Sequence, residues 1–150
     1  MLSWKPLVVL TAISGLAIFL FKSDYVSLQT AATPTVFADV LDETIGRARA
    51  ATIGDMVFSA SYGTLGLLAF LALDPGFLGK LGAGLAVAAA LADEVENTFV
   101  MANIAHVETL KQGAVDGMLL AGTIKYALIG AAFLVLLVAL LRRSQAHRKA

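Results

Sequence analysis

Four long apolar stretches, with acids and bases sorted to opposite ends of them, restrict this chain to a helical fold embedded in lipid. The stretches cover residues 6–21, 52–73, 76–96 and 117–141. A membrane-crossing helix needs about 20 residues at 1.5 Å rise each. The first and third stretches are short by that measure and the fourth is long. The chain is 59% hydrophobic and only 15% charged, well below the roughly one-quarter charged content of a soluble domain.

The charges orient the spans. Four spans place both termini on one side. That side holds Lys5, Lys80, Arg142, Arg143, Arg148 and Lys149 against the single acid Asp74. The opposite side and the outer bundle hold ten acids (Asp24, Asp39, Asp42, Glu43, Asp55, Asp93, Glu94, Glu96, Glu108 and Asp116). Five bases accompany them, Lys22, Arg47, Arg49, Lys111 and Lys125. Basic residues concentrate on cytoplasmic loops. The expected location is therefore a cell inner membrane, multi-pass, with both termini cytoplasmic. The tail 142–150 is the topology determinant and is attracted to anionic membrane lipid. A cleaved secretory signal is the alternative for the first stretch, with Val36-Phe37-Ala38 as cleavage site. That site lies far beyond the end of the apolar run, so an uncleaved anchor is the better reading.

The expected fold is a single all-α domain: a four-transmembrane-helix bundle, with helices 2–4 extended beyond the membrane on the periplasmic side. Residues 22–51 form a polar outer connection. Helical spacing of Leu41, Ile45 and Ala48, and of Val100, Ile104 and Val107, carries the helices past the bilayer. Helix two is expected at about residues 35–73 and helix three at about 75–111. Helix four runs from about 114 to 143, with Gly113 as a stop. At the tight turn Leu73-Asp74-Pro75-Gly76, Asp74 suits the helix cap and Pro75 its first position. Helix three carries small-xxx-small pairs, Gly79/Ala83, Gly82/Ala86 and Ala86/Ala90, as expected of a helix packed at a bundle centre.

Ionisable groups at membrane depth cost about 2.5–3.5 kcal/mol each on insertion scales, so they face the bundle interior with partners. Asp55, Ser59 and Tyr62 share one stripe of helix two. Asp93, Glu96 and Asn97 share a face of helix three, with Glu94 turned about 100° away. Lys125 and Tyr126 lie on helix four, Lys125 level with about Thr98 or Phe99. Together they make a polar intramembrane cluster. It reads most simply as an ion-pair network that sets helix register. The alternative is a ligand or proton site at Asp55, Glu96 and Lys125.

The chemistry of the chain is otherwise sparse. It has no cysteine, no phosphate loop and no nucleophile–His–acid set. The di-iron bundle pattern needs Glu-x-x-His, which does not occur, and His106 and His147 fall on opposite sides of the membrane. No catalytic residue, metal, cofactor or nucleic-acid partner is expected. Asp93-Glu94-Val95-Glu96-Asn97, after an alanine-rich third span, resembles the Asp-x-x-Glu-Asn element of small bacterial four-helix integral membrane proteins of unassigned function. The resemblance covers about thirty residues and implies a four-helix fold and a bacterial source, with no activity. The expected role is non-catalytic, as an accessory, assembly or scaffold subunit of a larger membrane complex. Its partners are membrane lipid and a protein partner or second copy bound through the transmembrane helices. The alternative is a small ligand-binding membrane protein or enzyme, for lipid, quinone or cation.

Overall fold

The computed structural model describes residues 22–42 and 45–147, with positions 8, 9, 12 and 16 before them. The described residues form five α-helices and one 3-10 turn, with no strand among them. The helices are α1 (Lys22–Gln29), α2 (Pro34–Asp42), α3 (Ile45–Leu73), α4 (Phe77–Ala105) and α5 (Gln112–His147). Of the span expected at 6–21 only those four positions are described, and the rest lies outside the described residues.

Among the described residues two helices are long and apolar enough to cross a membrane, within Ile45–Leu73 and Gln112–Gln145. Their most apolar windows are only 22% and 17% buried by the rest of the protein. That leaves continuous apolar surface which water does not favour. The third expected span, the first two-thirds of α4, does not reach the same standard, because Lys80, Asp93, Glu94 and Glu96 interrupt its apolar sequence.

α4 is the centre of the assembly. It packs along its length against both α3 and α5, which hardly touch each other. Absent side chains permit this closeness. A Cβ on Gly63 would lie 2.5 Å from Ala90 Cβ, and one on Gly66 2.6 Å from Ala86 Cβ. A Cβ on Gly82 would enter the Phe70 ring. Close approach of small residues is what holds helices together where no hydrophobic effect separates them from lipid.

Two apolar cores flank the middle of the bundle. Phe70, Ala83 and Ala86, with Leu67, Val135 and Leu136 against them, fill the end next to the α3–α4 turn. The other end is closed by the polar connection of the sequence, which is more ordered than expected. α1 and α2 fold over it, burying Leu28, Phe37 and Leu41 against Ala48, Val100, Ile104, Val115 and Met118. Thr33 Oγ1 accepts the Val36 N–H at 3.3 Å and Pro34 takes the first position of α2, so Thr33-Pro34 is a helix start. Gln112 Nε2 donates to Ala32 O at 2.9 Å and to Asp116 Oδ1 at 2.8 Å, tying this cap to the start of α5.

Several expected boundaries move. The helix expected at 35–73 is described as α2 and α3, with residues 43–44 between them outside the described residues. α4 stops at Ala105, and the chain turns through His106 and the 3-10 segment Val107–Thr109. α5 already begins at Gln112, so Gly113 lies inside its first turn and does not stop a helix. Nor does Asp74 cap α4. Its Oδ1 accepts the Gly76 N–H at 2.7 Å, a local side-chain turn, and α4 begins two residues beyond Pro75 with no side-chain cap.

Candidate functional site

Between the two apolar cores the three long helices bring six of the nine buried polar side chains of the described residues together. α3 contributes Asp55, Ser59 and Tyr62; α4 contributes Asp93, Glu94, Glu96 and Asn97; α5 contributes Lys125. Asp55, Ser59, Asp93, Glu96, Asn97 and Lys125 are all buried. Burying ions is expensive unless geometry and hydrogen bonds compensate, and most of these groups are paired across the helices.

Lys125 is the hinge of the network. Its Nζ lies 3.1 Å from Asp93 Oδ1 and 2.5 Å from Glu96 Oε2. The Asp93 contact is a hydrogen bond. The Glu96 contact is an ion pair whose angles are not those of a hydrogen bond. The second oxygen of Asp93 accepts the Tyr62 hydroxyl at 3.0 Å, so one carboxylate joins all three helices. Asn97 Nδ2 donates to Asp55 Oδ2 at 3.0 Å, and Ser59 Oγ donates to Glu94 Oε1. Gly122 makes room on α5: a Cβ there would sit 2.9 Å from Glu96 Oε1.

Of the expected residues, Asp55, Ser59, Tyr62, Asp93, Glu96, Asn97 and Lys125 are brought together, with three adjustments. Glu94, expected to turn away, takes part, because α4 lies between two helices and residues about 100° apart on it meet different neighbours. Tyr126 is 65% exposed. It contributes its ring face, 4.8 Å from Lys125 Nζ, a cation–π contact. Lys125 also reaches about one turn nearer the α3–α4 end than counted from Gly113, because the chain reverses at residues 106–111. Nothing in the sequence pattern marked Ser61, Thr52 or Asn103, which are buried as well. Ser61 and Thr52 return their hydroxyls to the carbonyls of Val57 and Ala48 at 2.6 and 2.8 Å, the usual accommodation for a hydroxyl inside a helix.

Among the described residues no group of three or more His, Cys, Asp or Glu is placed to hold a metal ion. His106 is exposed at the far end of α4. Recesses adjoin the described helices. One, about 370 Å³, is an apolar groove along α4 and α5 lined by residues such as Leu91, Phe99 and Leu120. Another, about 200 Å³, lies between α1 and α5 with Glu96 in its wall.

Comparison with protein-family models, curated proteins and solved structures finds no match to the chain.

Proposed function

We propose that this chain is a non-catalytic, four-span protein of a bacterial inner membrane, serving as an accessory or assembly subunit of a larger membrane complex. One observation supports the reading above the rest: the polar groups at membrane depth are bonded to one another across three helices, while the apolar flank of α5 is uncovered. Phe133, Leu134, Val138 and Leu141 are exposed on that helix. The polar network sets the relative register of α3, α4 and α5, and the uncovered flank faces lipid or another membrane protein. The four spans are those expected at 6–21, 52–73, 76–96 and 117–141, with α1 and α2 as a periplasmic cap.

Native mass spectrometry of the protein extracted gently from its own membrane tests the role. The expected spectrum contains a hetero-complex with at least one other membrane protein. A free monomer whose mass shows no partner across several mild detergents refutes the subunit reading. Topology is tested separately with reporters fused after Lys149. An enzyme active only in the cytoplasm is expected to work there, since the basic tail stays inside; activity of a periplasm-dependent reporter at the same position overturns the orientation.

A further inference from the structure

We propose that the recess between α1 and α5 is a binding site for a protonated primary amine. The inference goes beyond the subunit role and does not depend on it.

The wall selects the ligand by what it can accept. Glu96 belongs to the wall and is only 2% exposed; Lys125 holds its Oε2, while Oε1 lies beside Gly122 of the same wall, and as an ion the carboxylate offers acceptors alone. Two threonines also line it, and the hydroxyl of each donates its single proton to a backbone carbonyl four residues earlier. Thr30 Oγ1 donates to Val26 O at 2.8 Å, and Thr123 Oγ1 donates to Leu119 O at 2.9 Å. With their protons so committed, these two hydroxyls have only lone pairs left to offer. Tyr126, whose ring already lies 4.8 Å from Lys125 Nζ, and Gln29 complete the polar part of the wall.

Charge points the same way. Lys125 is shared between Asp93 and Glu96, and Asp55 and Glu94 lie in the same network. Four carboxylates stand against one lysine in this network, and Lys125 occupies only Oε2 of Glu96, so an arriving cation has Oε1 to approach while an anion has no free counter-charge. An ammonium group with N–H bonds fits better than a metal ion, because Glu96 is the one carboxylate in this wall and the remaining acceptors are neutral.

Size limits the ligand further. At about 200 Å³ the recess is below the roughly 300–1,000 Å³ of pockets for drug-sized molecules. It accommodates a small head such as ethanolammonium and excludes an acyl chain. Gly122 belongs to the wall, and a side chain there would press on Glu96. Depth is compatible with a lipid source. From Phe77 to Glu96 the helix rises about 29 Å, close to the roughly 30 Å hydrocarbon thickness. If α4 crosses the bilayer, Glu96 lies at the headgroup level. The chemistry is the same whether the amine is free or is the headgroup of an ethanolamine phospholipid.

The test titrates ethanolammonium chloride into the purified chain in phosphatidylcholine nanodiscs and follows the thermal midpoint, which rises when a ligand binds the folded state. Tetramethylammonium chloride, of equal charge and without N–H groups, is the control. The expected result is a saturable rise with ethanolammonium and none with the control. Thr123→Val, which removes one acceptor at an exposed position, weakens binding about fivefold, and Glu96→Gln weakens it by about tenfold or more. If Glu96→Gln does not fold, Thr123→Val decides. Absence of a saturable rise in the folded wild-type chain overturns the proposal. So does an equal response to tetramethylammonium, or wild-type affinity in Thr123→Val together with any folded Glu96→Gln. Native mass spectra from nanodiscs containing phosphatidylethanolamine then separate the sources. Retained lipid that ethanolammonium displaces identifies the headgroup; binding of the free amine with no retained lipid identifies a soluble ligand.

Discussion

Replacing Lys125 by methionine is expected to lower the stability of the folded protein by about 3 kcal/mol or more, the usual consequence of removing one partner of a buried ion pair. The lysine is buried and serves both Asp93 and Glu96. Methionine keeps most of the stem volume, so the loss is electrostatic rather than a cavity effect. Two carboxylates then face each other in a site that α3 and α4 shield from water. Asp93→Asn is expected to cost clearly less, because an amide still accepts from Tyr62 and Lys125 keeps Glu96. Adding Glu96→Gln to Lys125→Met is expected to restore part of the loss, since it removes one of the stranded charges. Denaturant or thermal unfolding in detergent micelles gives the ranking directly. A Lys125→Met protein as stable as the wild type would show that the network does not hold the helices together, and the register role would fall with it.

The second large effect is expected from a single methyl group. Gly79→Ala should cost about 3 kcal/mol, at the upper end of the usual overpacking range, whereas Gly84→Ala should be neutral or stabilising by about 0.5–1 kcal/mol. The substitution is the same and the positions are five residues apart on α4. At Gly79 the new Cβ would collide with the backbone carbonyl of Asp74 and lie 2.7 Å from Phe70 O. Neither is the flexible end of a side chain, so the α3–α4 turn must open to admit it. At Gly84 a Cβ meets nothing within 4 Å, and alanine simply improves helix propensity. Unfolding midpoints of the two variants, measured side by side, decide the matter. Equal stabilities would mean that α4 does not pack on the end of α3 as described.

The helical class and the identity of the polar cluster were legible in the chain for a common reason. Both depend on periodicity, and a helix repeats every 3.6 residues regardless of what surrounds it. Asp55, Ser59 and Tyr62 therefore had to share a stripe, and Asp93, Glu96 and Asn97 a face, before any neighbour was known. The small residues of α4 likewise marked it as the packed centre. What periodicity could not supply was the ends of helices and the pairing between them. α4 ends at Ala105 although the apolar spacing continues to Val107, and α5 starts through Gly113 rather than after it. Local caps decide such boundaries, and the caps here are backbone turns with no residue signature. The short helix α1 was hidden because its eight residues are mostly polar and have no apolar stripe. It is held by tertiary contacts of Leu28 and of the neighbouring turn.

By itself, then, the sequence determined that the chain is helical, apolar on its surface and obliged to cluster its buried charges, because each of these follows from composition and spacing along one dimension. Only the tertiary structure decided who bonds to whom. Asp93 joins Lys125 and Tyr62, Asp55 takes Asn97, and Glu94 reaches Ser59. It also created the recess beside Glu96 by laying α1 against α5. Those pairings depend on where three antiparallel helices come level. A shift of one turn in a connecting segment moves a side chain by about 5.4 Å, more than the reach of any hydrogen bond.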